Sequence, residues 1–343
     1  MNQSQNANVK HTDVLIIGAG ISGISSAFHL KKHSPKTSFE ILEQRDGIGG
    51  TWNLFKYPGV RSDSDMYTLG FSFRPWKQAK AIADAPAIMD YLKGAVNDGK
   101  IDESIRFGKK VLEAKWSTPE SKWFVTIEDK ATGEQHIQSC KFIHSCAGYY
   151  NYDQGYQPDF EGADTFAGDI VHPQFWPEGL NYEGKKVVVI GSGATAVTLV
   201  PAMAREASQV TMLQRSPTYI VARPAEDGFA NFTRKFLPAM MAYGLTRWKN
   251  VLMGRFFFWM CRKYPDAVKK RLLDELPDLL PEGFDIKKHL TPKYNPWDQR
   301  VCLAPDGDFF TSICDGKADI VTDHIERFTK KGIELKSGET LEA

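Results

Sequence analysis

The sequence predicts an α/β protein in which one nucleotide-type supersecondary unit occurs twice. Two glycine clusters carry that expectation, DVLIIGAGISGISSAFHLKK from Asp13 and KKVVVIGSGATAVTLV from Lys185. Each follows a short continuous apolar run, as suits a parallel strand covered on both faces, and each opens a helical pattern. A third observation is a block of short segments between them, rich in β-branched and aromatic residues, which reads as an antiparallel meander. The architecture expected is two Rossmann-like dinucleotide-binding domains with an inserted β-meander and a helical insertion.

The 343 residues suffice for two domains, and a composition 42% hydrophobic and 25% charged belongs to a folded chain. A formal net charge of +1 gives no electrostatic footprint for nucleic acid, so small-molecule chemistry is expected. Cys140, Cys146, Cys261, Cys302 and Cys314 are scattered without CxxC spacing. That argues against a disulfide framework or a metal site and suits a reducing, cytoplasmic setting. The polar stretch MNQSQNANVK lacks an apolar secretory core and reads as a disordered tail over residues 1–10. Val14–Leu30 and Val187–Ala204 contain no Asp, Glu, Lys or Arg, but glycines break both after four apolar residues. Both read as strand, turn and buried helix rather than as membrane spans.

In the first unit Val14–Ile17 is the strand, Gly18, Gly20 and Gly23 form GxGxxG, and the helix runs to about Lys32. Gly18 permits the tight turn, Gly20 admits a pyrophosphate, and Gly23 allows close helix–strand packing. The helix N-terminus offers unpaired N–H groups to the phosphates. The next strand, SFEILEQ, ends at Glu43, twenty residues after Gly23, where a carboxylate can accept from ribose hydroxyls. Residues 11–150 are assigned to this domain. Its meander, about 111–140, comprises VLEAKW, KWFVTIED and EQHIQ with a turn at Lys130–Gly133, and KFIHSCAG returns the chain to the parallel sheet.

After a linker over 151–181, the second unit (182–225) has the strand Val187–Ile190, a helix to about Glu206 and a strand VTMLQ that ends at Arg215. Its cluster, Gly191-Ser192-Gly193-Ala194-Thr195-Ala196, is a GxGxxA variant. Where an acid would favour NAD, Gln214-Arg215-Ser216 supplies a cation and a hydroxyl suited to a 2′-phosphate. The alternative is that Arg215 is a surface cation at a strand end. Different ribose readers imply two dinucleotides, FAD over Glu43 and NADPH over Arg215, with hydride passing from nicotinamide to flavin.

Residues 226–295 mix aromatics, Leu and Met with Arg and Lys, without strand alternation, and read as a helical insertion. The functional reading is a lid or a peripheral membrane contact; the plainer one is a helical subdomain with snorkelling basic side chains. Residues 296–343 return to the second domain, and the stretch from Ala318 reads as two strands and a turn.

A resemblance enters with FAGDIVHPQFWP. Phe166, Gly168, His172, Trp176 and Pro177 fit the FxGxxxHxxxWP fingerprint of type I Baeyer–Villiger monooxygenases. Gly49-Gly50-Thr51-Trp52 and YPGVRSDSD (Tyr57–Asp65) resemble the flavin-side loop of that family, with Gly50, Thr51 and Trp52 at the cofactor. CAGYYNYDQGYQPDFEG looks most like its ethionamide-activating, FAD-containing branch. The resemblance implies FAD, NADPH and O₂, and oxygen insertion beside a ketone carbonyl through a peroxyflavin, giving an ester or lactone. Small apolar ketones are the implied substrates, with sulfoxidation of thiocarbonyls or sulfides as a second activity. It implies catalytic roles for Arg300, in LTPKYNPWDQR, and for Asp63, also near the flavin; by spacing alone these are a surface cation and a turn residue. His172 is implied to be structural, coupling domain motion to cofactor binding. An N- or S-oxygenating flavin monooxygenase without need of the Asp63–Arg300 pair, or an inactive nucleotide-binding remnant, remain alternatives. The family pattern also implies a further strand and a last flavin-domain segment beyond Ala343, so the chain reads as C-terminally truncated, with apolar surface left uncovered.

Overall fold

In the computed structural model, which describes residues 9–343, the apolar runs become parallel strands and the glycine clusters become the turns that follow them. The polar tail falls outside the described residues up to position 8. Lys10, expected in that tail, already belongs to the first strand, because it pairs with Gln138 and its ammonium reaches Glu40.

In chain order the elements begin with β1 (Lys10–Ile17), α1 (Ile21–His33), β2 (Phe39–Leu42), α2 (Thr51–Leu54), α3 (Met66–Leu69) and α4 (Ala85–Gly99). The meander and the second cluster supply β3 (Ile105–Arg106), β4 (Lys109–Ser117), β5 (Lys122–Asp129), β6 (Gln135–Ser145), β7 (Lys186–Ile190), α5 (Ala194–Met203) and β8 (Gln209–Gln214). Then come β9 (Tyr219–Arg223), α6 (Gly228–Thr233), α7 (Ala239–Lys263), α8 (Pro265–Asp274) and α9 (Ile286–His289). The last elements are β10 (Val301–Pro305), α10 (Asp308–Cys314), β11 (Ala318–Thr322), β12 (Ile325–Thr329), β13 (Gly332–Leu335) and β14 (Thr340–Glu342).

These elements form two units, one of the chain to Leu54 plus Ala85–Gln154, the other of Phe55–Asp84 plus Gly155–Ala343. The first unit carries a six-stranded sheet in the order β3-β2-β1-β6-β5-β4. Leu15 and Ile16 of β1 have no exposed surface, as a strand covered on both faces requires. EQHIQ and KFIHSCAG, expected as separate strands, are one: β6 pairs antiparallel with β5 and parallel with β1, and Gln138 and Cys140 have partners on both sides. Farther along β6, Phe142 is 69% exposed.

The second unit has a parallel sheet ordered β11-β8-β7, a parallel β9–β10 pair and an antiparallel β12-β13-β14 meander. The expected two strands and a turn after Ala318 are therefore four strands. Apolar Ala318 and Ile320 bury β11 beside β8, and turns at Lys330–Lys331 and Ser337–Gly338 fold the rest back. Phe55–Asp84, assigned from sequence to the first domain, also packs here. Arg247 donates to the carbonyls of Tyr67 and Gly70, and the Tyr243 hydroxyl donates to that of Phe71. Among the described residues no helix is long and apolar enough to cross a membrane.

The first sheet also buries an acid. Glu40 accepts from Lys10 at 2.6 Å and from Gln138 at 2.8 Å, Arg106 lies 3.2 Å away, and Gln138 also donates to Thr12. Burial pushes the Glu40 carboxyl up, but its Lys10 and Gln138 hydrogen bonds and the nearby cations outweigh this and hold it below its ordinary 4.5. A carboxyl depressed in the folded state stabilises above its unfolded pKa, and that contribution fades as pH falls through the folded value. Glu40→Gln should thus lower Tm at neutral pH, with the gap to wild type narrowing below pH 4.5 in thermal unfolding. A gap that stays constant down through the carboxylate range would show that these ion pairs contribute nothing to it.

Candidate functional site

The glycine cluster of the first unit builds one wall of a cavity of about 640 Å³. Gly18 leaves β1 with φ +101°, and an added Cβ would come within 2.6 Å of the Cys146 carbonyl. At Gly23 a Cβ would fall 1.9 Å from the Gly18 carbonyl, so only glycine lets α1 start this close to the turn. No side chain caps α1, and its first residues, Ile21 and Ser22, line the cavity with Gly18 and Gly20. The N–H groups of that first turn are what a phosphate needs. Gly49 to Trp52 continue the wall, with Thr51 and Trp52 opening α2.

Glu43 ends the second strand run and is 3% exposed. Its Oε2 accepts from the Ala19 N–H at 2.8 Å and its Oε1 from the Arg45 N–H at 2.9 Å. The acid expected to read ribose therefore also braces the glycine loop. Each carboxylate oxygen keeps acceptor capacity for a further donor. Gly18, Gly20, Gly23, Glu43 and the Gly50–Trp52 corner thus fit a dinucleotide's pyrophosphate and ribose.

Other lining residues escaped the sequence reading. Lys110 and Asp153 form an ion pair at 2.6 Å, which raises the Lys110 ammonium and lowers the Asp153 carboxyl through their shared hydrogen bond. The Arg45 guanidinium lies 5.7 Å from the Tyr152 ring centroid. Burial pushes the Cys146 thiol up, which makes it a poor nucleophile. The only signal was the density of Tyr in CAGYYNYDQ, read there for its resemblance alone.

The second cluster is more open. Gly191 has φ +128°, α5 begins after Gly193 without a side-chain cap, and an added Cβ at either glycine would meet nothing within 4 Å. Ser192 donates to the Ser216 carbonyl at 3.2 Å, which ties the loop to the end of β8. Arg215 is exposed there. Neighbouring Gln214 is buried and donates to the His289 carbonyl and to Thr322.

Asp63 and Arg300, chosen from a resemblance, are in direct contact as an ion pair. Arg300 immediately precedes β10, and its carbonyl accepts from the Tyr294 hydroxyl at 3.2 Å. At the other end of β10, Asp308 takes two hydrogen bonds from Arg61. The YPG turn is seated on α5: Tyr57 is buried and bonded to Thr195, and a Cβ at Gly59 would fall 2.7 Å from Ala202. One short loop is thereby fixed below by α5 and gripped at both ends of a strand.

The fingerprint residues do structural work within this unit. Phe166 packs edge-on against Phe328 at 6.0 Å, and Gly168 lies against the Phe166 ring, which a Cβ would approach to 2.8 Å. The His172 Nδ1 accepts from the Gln174 N–H and caps the turn Pro173–Phe175, while Gly155 packs on its ring. Trp176 meets Tyr182 edge-on at 6.4 Å, with Pro177 directly after it.

Residues 11–263 match the family model described as "Flavin-binding monooxygenase-like". Over 335 residues the chain is 55% identical to the FAD-containing monooxygenase EthA of Mycolicibacterium smegmatis, covering 97% of this chain and 68% of that protein. Among solved structures, a steroid monooxygenase bound to NADP superposes with a TM-score of 0.78 at 23% identity, over 97% of this chain and 69% of that one. A cyclohexanone monooxygenase with ε-caprolactone bound gives 0.79 at 22% identity, over 97% and 72%. At such identity these two likenesses concern the fold.

The Arg61–Asp308 pair is less than a third exposed on either side, so it should contribute measurably. A double-mutant cycle of Arg61→Ala and Asp308→Ala in denaturant unfolding should give a coupling of about 1–3 kcal/mol. A coupling near zero would mean a solvated surface contact that positions nothing.

Proposed function

Because the chain belongs to the flavin-binding monooxygenase-like family, we propose that it is a Baeyer–Villiger monooxygenase acting on small apolar ketones. It is a flavin-dependent monooxygenase that uses FAD and NADPH. In the proposed reaction ketone, O₂, NADPH and a proton give ester or lactone, NADP⁺ and water: one oxygen atom enters a carbon–carbon bond beside the carbonyl and the other leaves as water.

The observation that carries this reading is the Asp63–Arg300 ion pair, held at the head of β10. Gly18, Gly20, Gly23, Glu43, Gly50, Thr51 and Trp52 would hold FAD. Gly191, Ser192, Gly193, Ala194, Thr195, Arg215 and Ser216 would hold NADPH. Flavin, when bound, would supply the activation of O₂. What Arg300 supplies is a permanent positive charge, which lowers the energy of negative charge developing on the substrate carbonyl oxygen. Asp63 fixes the guanidinium so that this field is already oriented when the charge appears. Phe166, Gly168, His172, Trp176 and Pro177 are assigned to holding the second unit together rather than to substrate.

Electrophilic oxygenation of nitrogen or sulfur makes no such demand for a fixed cation, and this separates the two readings. Arg300→Ala should cut ester or lactone formation by about 100–1,000-fold, while flavin reduction by NADPH continues. Product analysis by gas chromatography, run beside stopped-flow flavin absorbance, checks this. Ester formation at the wild-type rate would remove Arg300 from the chemistry. Separately, Arg215→Ala should raise KM for NADPH by about 10–100-fold, the equivalent of one or two charge-assisted hydrogen bonds, and leave KM for NADH unchanged. Equal changes for both coenzymes would make Arg215 a general surface cation instead.

A further inference from the structure

From Gly228 to Pro265 the sequence contains no Asp or Glu, and it contains seven Arg and Lys. Four of the seven are committed within the fold. Lys249 pairs with Asp227 and Arg262 with Asp298, while Arg234 and Arg247 donate to backbone carbonyls. Lys235, Arg255 and Lys263 remain on the surface.

The same stretch exposes an apolar stripe. On α7, Met241 is 57% exposed, Leu245 48%, Trp248 66%, Leu252 60%, Phe256 62% and Trp259 45%. Their spacing of three and four residues puts them on one face of the helix. Toward the two ends of α7 the opposite face, with Tyr243, Thr246 and Cys261, is buried. Every residue from Val251 to Phe256 is exposed, so this part of α7 projects instead of bordering a groove. Phe232 and Phe236, on α6 and just after it, add rings that are 61% and 72% exposed. Lys263 lies 5.1 Å from the Trp259 ring centroid, a cation and an indole together at the helix end.

We propose that α7, with the end of α6, docks flat on an anionic lipid surface. A projecting apolar stripe with tryptophans along it and basic residues beside it is what an interfacial helix requires. Phosphate headgroups complement the absence of acids. A second copy of the same face is disfavoured, since each copy would bring the same cations and no anion. The helix is not apolar enough to cross the bilayer, so it lies in the interface. This proposal is independent of which atom the enzyme oxygenates.

The test is co-sedimentation of the 343-residue chain with vesicles of phosphatidylcholine alone or mixed with phosphatidylglycerol. The chain should pellet at least 10-fold better with the anionic vesicles, and added salt should reverse much of the gain. The double variant Leu252→Glu/Phe256→Glu changes only exposed positions and should lose binding at least 10-fold with an unchanged unfolding midpoint. Phe142→Ser, an equally exposed apolar position on β6, should bind like wild type. Three results would overturn the proposal: no capture by either vesicle, capture reduced equally by the Phe142 and the α7 variants, or vesicle-independent self-association in size-exclusion chromatography that the double variant abolishes. The last would assign the face to a second copy.

Discussion

The first site depends on one buried carboxylate. Glu43 is almost fully shielded, yet its two oxygens hold the Ala19 and Arg45 N–H groups, so the charge is solvated by backbone instead of water. An unpaired carboxylate at that burial would be too costly to keep. With it, the turn after β1 is fixed against the end of β2. The close approaches at Gly18 and Gly23 are built into that turn. A loop braced in this way has less conformational freedom left to lose on binding, which is how rigid loops gain affinity.

The same economy appears in the second unit, with a different interaction. A loop carrying both Arg61 and Asp63 faces a strand with Asp308 just beyond one end and Arg300 just before the other. Opposite charges alternate in both partners, so a register shift of the loop would set like charges together. The pairing fixes position as well as energy. The Gly59 contact with α5 removes the remaining freedom, since no side chain fits between the turn and the helix.

What the sequence made legible was local. A glycine turn after an apolar run needs only neighbouring residues to be recognised, and both Rossmann-type units formed where the clusters stand. Less legible were features decided by residues far apart in the chain. Phe55–Asp84 joined the second unit through partners such as Asp308, 247 positions from Arg61, which no periodicity reports. The segments EQHIQ and KFIHSCAG, read as separate, merged into β6 because the strand pairs on both edges. The last four strands were compressed into two because β12, β13 and β14 are only 3–5 residues long and show too few alternations to be counted. The Lys110–Asp153 pair was invisible for a simpler reason: surface-type residues carry no pattern until the fold brings them to one cavity.

The fingerprint shows how a motif can be diagnostic without holding chemical groups. Gly162 adopts φ +76°, and a Cβ there would fall 2.3 Å from the Phe328 carbonyl; the Ala167 N–H donates to the Lys330 carbonyl. Phe160 and Phe166 then close on the Phe328 ring, while Gly168 leaves room for Phe166. His172 contributes a ring nitrogen to a backbone N–H, a task that needs an acceptor and not a proton carrier. Phe166 and Gly168 thus answer a packing demand made by the β12–β13 hairpin, and His172 a capping demand made by a short turn. The fingerprint therefore belongs to the scaffold, whereas the fixed cation belongs to the ion pair at β10.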